Sequence, residues 1–323
     1  MKISDSSLGT AVTRYLTIRR ALGRQYTNEA RVLTSLTKFV HEQNLDDLQQ
    51  RCFDAWCESF ANLNPNTRRG RQGVVRNFCL YRCRTEPDCF VPDINSFPRL
   101  VPYRPAVILE PTDIAKMLAA TAQIKRSAKS PLKPEVMRLA VVLLYTTGMR
   151  IGELARLTLA DSDAATGVLH IRESKFHKSR VLPLSADARR ELDDYLKKRL
   201  ALPFSNGPDS PLLCHRTDVF RGYCPGGLAT ELSKAFRVAN VRSSDGRVPH
   251  VHDLRHSFAQ EALLRWYREG VDVQSRLPKL AMYMGHVSIA TTAYYLKWNP
   301  ARAEIASQHF ESHFGHLING GEL

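Results

Sequence analysis

The sequence lacks any uninterrupted apolar stretch of the ~20 residues that a membrane-spanning helix requires. Its first residues, from Met1 to Asp5, contain nothing like the apolar centre of a secretory signal. These two absences argue against a membrane-embedded or secreted protein. We therefore expect a cytoplasmic protein with no membrane partner.

Cysteine is present, but not in the spacing of metal ribbons or disulfide frameworks. The seven cysteines are odd in number, and no two of them form a Cys-x-x-Cys pair. A zinc ribbon or a disulfide-stapled domain is therefore disfavoured. We expect reduced, mostly buried thiols, no bound metal and no cofactor. Cys79 and Cys83 share a helix face, which leaves a two-cysteine metal site open as an alternative.

Acidic residues are scarce relative to basic ones. The chain has 46 lysines and arginines against 32 aspartates and glutamates, a formal net charge of +14 over 323 residues. Such a surplus favours a polyanionic partner, and nucleic acid is preferred once a membrane is set aside. The length is sufficient for two domains that each bury a core.

Residues 1–86 show helical periodicity and no strand pattern, so we predict a small helical domain. The last helix should begin after Asn64-Pro65, with Asn66 or Thr67 as its cap. No acid occurs between Glu58 and Glu86. The arginines that we predict to contact DNA phosphates in this stretch are Arg68, Arg69, Arg71 and Arg76. A solvated basic helix face is the alternative.

Prolines interrupt any helix between residues 87 and 110, so we predict an interdomain linker there. Residues 111–323 then form a larger domain with a C-terminal tail. Most of it has helical periodicity, but Val168–Ile171 and Arg180–Leu184 read as two short strands of a hairpin. The connection between these strands contains Lys175 and Lys178.

Three separate motifs in the larger domain contain residues suited to a phosphate. Arg150 follows a Thr-Gly break, His252 and Arg255 lie three apart at a helix start, and His286 follows Gly285. Guanidinium and imidazole groups on one helix face suit an oxyanion. Tyr294 and Tyr295 follow as possible nucleophiles.

Two simpler interpretations of these residues remain open. Arg150 and Arg255 could pair with neighbouring carboxylates, such as Glu153 or Asp253, in a purely structural role. His252 and His256 lie four apart on one helix face, a spacing that can hold zinc, although no third ligand is evident at a suitable spacing.

Together these motifs resemble the core of the tyrosine recombinase family, also called the phage integrase family. The family pattern has an arginine in a Thr-Gly-x-Arg-x-x-Glu-Leu context, a hairpin lysine, His-x-x-Arg, Gly-His and a tyrosine nine residues after that histidine. The matching residues are Arg150, Lys175, His252, Arg255, His286 and Tyr295. The resemblance implies a mainly α fold with a small β-hairpin or sheet. A helical, SAM-like core-binding domain would precede the recombinase catalytic domain.

The resemblance also implies roles for these residues. Arg150 and Arg255 would bind the non-bridging oxygens of the scissile phosphate, His252 would act as general base and His286 would donate a hydrogen bond to the phosphate. The nucleophile would be Tyr295. Lys175 would protonate the leaving 5′ oxygen, whereas Lys178 would contact the DNA backbone.

By resemblance, the reaction is site-specific recombination of double-stranded DNA through a 3′-phosphotyrosine intermediate. A homotetramer would act on two duplexes, with accessory proteins or partner recombinases still to be identified. Two other functions remain open. A type IB topoisomerase would relax supercoils as a monomer without a specific site, and a catalytically silent DNA-binding protein would form no covalent adduct.

We predict that DNA cleavage proceeds in excess EDTA, because paired arginines can supply the positive charge that Mg²⁺ supplies in other phosphoryl-transfer enzymes. The sequence motifs contain no carboxylate cluster suited to Mg²⁺. Cleavage of a labelled duplex should therefore be equally fast with EDTA and with added Mg²⁺. A strict requirement for a divalent ion would contradict this mechanism.

Overall fold

A computed structural model describes residues 7–102, 104–163, 166–172, 179–216, 221–286 and residue 292. The chain forms two compact units, Met1–Arg104 and Pro105–Leu323. This division lies inside the range predicted as the linker. Within the described residues, no helix is both long and apolar enough to cross a bilayer.

The first unit is helical, as its periodicity predicts. Its helices are α1 (Ser7–Ala21), α2 (Thr27–Glu42), α3 (Gln50–Glu58) and α4 (Pro65–Arg82). Aromatic side chains fill the core between them, and Trp56, Phe78 and Tyr15 are almost completely buried. Arg82 is also buried at the end of α4, where its guanidinium pairs with Asp47 and Glu86.

The start of α4 differs from the prediction. Asn64, and not Asn66 or Thr67, caps the helix, because its side-chain oxygen accepts a hydrogen bond from the Asn66 N–H at 2.9 Å. Pro65 occupies the first turn, where a missing N–H has no cost. The cap therefore lies before the proline, two residues earlier than Asn66 and three earlier than Thr67.

The proline-rich segment after α4 belongs to the first unit and packs against its helices. Phe97 is buried in its core, and Phe90 and Val91 pack against that core. The Arg69 guanidinium donates to the Pro98 carbonyl at 3.1 Å, and the Arg76 guanidinium donates to the Pro92 carbonyl. Two of the arginines predicted to contact DNA therefore also attach this segment to α4.

The other two predicted arginines make weaker contacts within the unit. The Arg71 guanidinium lies 5.1 Å from the centre of the Phe60 ring. An Arg68 N–H lies 3.5 Å from the Ala61 carbonyl oxygen, at the outer limit of a hydrogen bond. All four arginines are half-buried, so their aliphatic portions contribute to packing while their charge remains near the surface.

The second unit is also mostly helical and contains a small amount of β-structure, so the predicted fold class is confirmed. Its helices are α5 (Pro111–Ala122), α6 (Lys133–Thr147), α7 (Ile151–Leu154), α8 (Ala186–Leu200), α9 (Pro225–Val238), α10 (Val251–Arg268) and α11 (Val273–Met284). Its strands are β1 (Ser162–Asp163), β2 (Val168–Ile171), β3 (Arg180–Pro183), β4 (Cys214–Arg216) and β5 (Arg221–Gly222).

The predicted hairpin strands pair antiparallel as β2 and β3, with Leu169 opposite Leu182. β1 adds to the other edge of β2. β4 and β5 form a separate antiparallel pair that the sequence did not reveal. These two strands have three and two residues, too few for a period-two pattern to be recognised.

The segment that begins the second unit is attached to α10. The Ser257 hydroxyl accepts a hydrogen bond from the Leu109 N–H at 2.8 Å and donates to the Asp253 carbonyl at 2.8 Å. Arg247 donates to the Pro105 carbonyl at 2.8 Å. Val107 and Leu109 are buried in the core of the unit. The position of α10 is therefore fixed in part by residues 105–109.

We predict that replacing Arg69 and Arg76 together by alanine lowers the free energy of unfolding of the first unit by about 1–3 kcal/mol, because two charge-assisted hydrogen bonds to backbone carbonyls are lost. Urea denaturation without DNA measures this. Arg84→Ala, at an exposed position after α4, is the control. Equal stability of the double variant and the control would contradict a role for these arginines in holding the segment.

Candidate active site

Hydrogen bonds bring together elements that contain four of the six predicted catalytic residues. Arg150 immediately precedes α7, His252 and Arg255 lie in the first turns of α10, and His286 follows the residue after α11. Arg150 Nη2 donates to the Gly285 carbonyl at 2.9 Å. Arg255 Nη2 donates to the Met284 carbonyl at 2.7 Å, and its Nη1 donates to the Gly148 carbonyl. Three motifs that are distant in sequence therefore meet at one place.

Two glycines make these contacts possible. Gly148 and Gly285 end α6 and α11 in the left-handed conformation, with φ of 60° and 67°. A side chain at Gly148 would place its Cβ 2.3 Å from the Phe258 ring, and one at Gly285 would lie 2.8 Å from Arg180 Nη1. The arginines can approach both turns because neither has a side chain in the way.

Arg255 is the most buried of the predicted phosphate ligands, with 2% of its surface exposed. Its bonds to the Gly148 and Met284 carbonyls hold the guanidinium plane between the ends of two helices. The nearby acid Asp253 accepts from the His250 N–H at 2.7 Å and so caps the start of α10. The backbone therefore orients the Arg255 fork.

Arg150 pairs with Glu153, as the structural interpretation of its sequence allowed. Glu153 accepts from the Arg150 backbone N–H and from Arg150 Nη1, both at 2.9 Å. A second arginine, Arg180 at the start of β3, donates to both Glu153 oxygens at 3.1 and 2.8 Å. Burial opposes ionisation of Glu153, but the bonds from Arg180 and the Arg150 backbone outweigh it and lower the pKa of Glu153 to about 2.

Arg180 had no predicted role in the site. The only signal in the sequence was its position at the end of the Lys-x-x-Lys-x-Arg pattern between the two hairpin strands. Its contact with Glu153 joins residues 27 positions apart, which no local pattern reveals. The guanidiniums of Arg150 and Arg180 both donate to the single buried Glu153 carboxylate, and Arg255 donates to the Gly148 and Met284 carbonyls, so positive charge exceeds negative charge here.

His252 lies at the exposed surface of this cluster, with its ring 4.9 Å from the His256 ring and almost perpendicular to it. Partial desolvation by the surrounding protein lowers the pKa of His252, and the charges of His256 and Arg255 lower it further, to about 4. Neutral His252 can accept a proton near pH 7.

The described part of the chain contains no group of three residues suited to a metal ion.

His286 is half-buried, and its Nδ1 lies 2.7 Å from the Thr292 hydroxyl. Burial, followed by the charges of Arg255 and Arg150, lowers the pKa of His286 to about 4. If Nδ1 accepts from the threonine, Nε2 holds the ring proton and can donate it to an anion. The direction of the hydrogen bond with Thr292 therefore determines which nitrogen of His286 can donate to an anion.

The remaining predicted site residues lie outside the described residues: Lys175, Lys178, Tyr294 and Tyr295. Thr292 precedes Tyr295 by three positions. For the described part of the site, the chemistry is that of an anion-binding centre. Guanidiniums, neutral imidazoles and the positive end of the α10 dipole converge there.

Comparison with known proteins identifies the family. The sequence pattern of the Phage integrase family matches residues 108–302. The chain belongs to the phage integrase family. The resemblance predicted from the motifs is thereby confirmed.

Two relatives support the assignment, one over nearly the full length of this chain and one over half of it. It is 31% identical over 316 residues to the "Putative integrase/recombinase y4rB" of Sinorhizobium fredii, covering 95% of this chain and 98% of that protein. It is 31% identical over 162 residues to the "Tyrosine recombinase XerA" of Pyrococcus furiosus, covering 50% of this chain and 49% of that protein.

The fold of this family member is also found in solved structures. The Tn1549 transposon integrase in complex with transposon right end DNA matches with a TM-score of 0.62 and 18% identity. The match covers 92% of this chain and 98% of that one. At this identity the likeness establishes a shared fold.

The lowered pKa values of His252 and His286 predict a loss of stability in mild acid. The unfolded chain binds more protons than the folded one between about pH 6.5 and pH 4, so stability falls as the pH decreases through that window. The contribution of Glu153, whose pKa is about 2, is lost only below about pH 4.5.

We therefore expect the melting temperature of the wild-type protein to fall between pH 7.5 and pH 5, and that of His252→Gln/His286→Gln to fall less. His41→Gln, in the first unit, is the control. The same fall in the double variant and the wild type would contradict the prediction.

Proposed function

We propose that this phage integrase family member recombines double-stranded DNA at specific sites through a 3′-phosphotyrosine intermediate. It is an enzyme of the tyrosine recombinase type. The observation that most supports the proposal is the convergence of Arg150, Arg255, His252 and His286, which belong to three separate motifs, around one anion-binding centre.

In the proposed cleavage step, the Tyr295 oxygen attacks the scissile phosphorus and its proton passes to His252. Neutral His252 can accept this proton, which agrees with its lowered pKa. As the Tyr295–phosphorus bond forms, the bond to the 5′ oxygen breaks. Lys175 gives a proton to that oxygen, so a free 5′ hydroxyl leaves.

Negative charge grows on the non-bridging oxygens during this step. Arg150 and Arg255 provide guanidinium donors for these oxygens, and His286 adds an imidazole donor. The carbonyls of Gly148, Met284 and Gly285 hold the arginine forks before the substrate arrives. Donors held in advance stabilise the transition state without reorganisation of the site.

Rejoining reverses the same steps with a different 5′ hydroxyl. The incoming hydroxyl returns a proton to Lys175, and the leaving Tyr295 oxygen regains its proton from His252. One phosphodiester bond is exchanged for a phosphotyrosine ester and then restored. The energy of the broken bond is retained in the ester, so we expect no nucleotide cofactor.

Sequence spacing supports Tyr295 as the proposed nucleophile. Thr292, which contacts His286 at 2.7 Å, precedes Tyr295 by three positions. The nine-residue spacing from His286 also selects Tyr295 over Tyr294 in this family.

DNA is the proposed partner, and the net charge of +14 supports this. Arg68, Arg69, Arg71, Arg76 and Lys178 are the proposed phosphate contacts. A guanidinium has five N–H donors, and the contacts of these arginines within the first unit use only some of them. The same proposal includes assembly as a tetramer on DNA, together with accessory or partner recombinases, in the cytoplasm.

The decisive experiment uses a duplex with a nick near the cleavage point, so that cleaved enzyme is trapped as a covalent adduct. Tyr295→Phe should abolish the adduct and leave the DNA affinity in a gel shift within a few-fold of wild type. Tyr294→Phe is the matched control and should retain the adduct. Reversed outcomes would move the nucleophile to Tyr294, and no adduct with wild-type protein would refute the proposed function.

A further inference from the structure

We infer that Arg180 is a positioning residue for two of the proposed phosphate ligands, Arg150 and His286. This inference rests on the proposed function. Arg180 is not one of the six residues in the family pattern, and its guanidinium bonds to Glu153 and to the Tyr283 carbonyl.

All three nitrogens of the Arg180 guanidinium are engaged. Nη1 and Nη2 donate to the two Glu153 oxygens at 3.1 and 2.8 Å, and Nε donates to the Tyr283 carbonyl at 2.8 Å. The Arg180 side chain is 11% exposed and that of Glu153 is 2% exposed. A planar fork can satisfy the carboxylate and the carbonyl together, whereas a lysine ammonium cannot reproduce this geometry.

The two groups that Arg180 holds are the ones that orient the site. Glu153 binds the Arg150 backbone N–H and Nη1. Tyr283 lies two residues before Gly285, and the Gly285 carbonyl accepts a hydrogen bond from Arg150 Nη2. The contacts therefore form a closed ring from Arg180 through Glu153, Arg150 and the end of α11 back to Arg180.

Arg180 also packs directly on the turn before His286. A Cβ at Gly285 would lie 2.8 Å from Arg180 Nη1 and 3.4 Å from Arg150 Nη1. The turn thus lies against both guanidiniums. If the Arg180 side chain is shortened, this support of the turn is lost and His286 is displaced from the phosphate.

Charge gives Arg180 a second effect on Arg150. With Arg150 alone, the buried Glu153 carboxylate would neutralise the charge needed at the phosphate. With Arg180 added, two guanidiniums share one carboxylate, and the group retains one positive charge. Arg180 therefore leaves Arg150 available to the developing charge on the phosphate.

The test compares Arg180→Lys, Arg180→Met, Glu153→Gln and Arg180→Met/Glu153→Gln. Single-turnover cleavage of the nicked substrate, DNA affinity and melting temperature are measured for each variant. The control is Arg190→Met on α8, which removes an arginine that is 74% exposed and pairs with exposed Asp187. We expect the control to cleave at the wild-type rate.

For Arg180→Met we expect cleavage to slow roughly 100-fold, as displacement of a reacting group by about 1 Å can do, with DNA affinity within three-fold of wild type. Adding Glu153→Gln to Arg180→Met should restore the cleavage rate roughly ten-fold. Without Arg180, the Glu153 carboxylate neutralises Arg150 alone, and the glutamine removes that negative charge. Arg180→Lys should slow cleavage about ten-fold and fold normally, since it keeps the charge but not the fork.

Wild-type cleavage rates in Arg180→Lys and Arg180→Met would overturn the inference. So would a rate loss in the double variant equal to the product of the losses in Arg180→Met and Glu153→Gln, because the two residues would then act independently. If Arg180→Met does not fold, the cleavage rate and DNA affinity of Arg180→Lys test the inference instead. Failure of the wild-type protein to form an adduct would refute the proposed function instead, so the two failures are distinguishable.

Discussion

The buried carboxylate of Glu153 determines the arrangement of the candidate active site. A carboxylate with 2% exposure is stable only when donors and cations surround it. Glu153 meets that requirement with Arg150 from its own turn and Arg180 from β3. These two arginines in turn reach the carbonyls of Gly285 and Tyr283 at the end of α11. One acid thus brings three segments of the second unit together and leaves an excess of positive charge.

Much of this site could be predicted from the sequence, because its parts are short local motifs. The Thr-Gly break before Arg150 and the Gly285-His286 turn mark helix ends, and His252 and Arg255 share a helix face in any α-helix. Helical periodicity was sufficient to predict α1 to α11 in outline, and short strand-like runs were sufficient to predict β2 and β3. The family resemblance supplied roles that periodicity alone could not.

Other features depend on contacts that no local pattern contains. The prolines after α4 predicted a linker, yet Phe97 is buried and the carbonyls of Pro92 and Pro98 accept from arginines of α4. The pairing of Arg180 with Glu153 joins two segments that meet only in the tertiary fold. Proline indicates a local backbone preference, and net charge indicates a class of partner. Neither predicts which surface or side chain a residue will contact in the folded protein.

The attachment of residues 105–109 to α10 has a consequence for engineering this chain. Ser257 of α10 binds the Leu109 N–H, and Arg247, four residues before α10, binds the Pro105 carbonyl, so the two ends of this segment are held against α10 and the residues that lead into it. An insertion or deletion within it would shift the register between these two contacts and strain the helix that contains His252 and Arg255. A change in chain length upstream of Pro105 leaves these hydrogen bonds in place. Fusion or length variants should therefore be joined before Pro105, and never between Pro105 and Leu109.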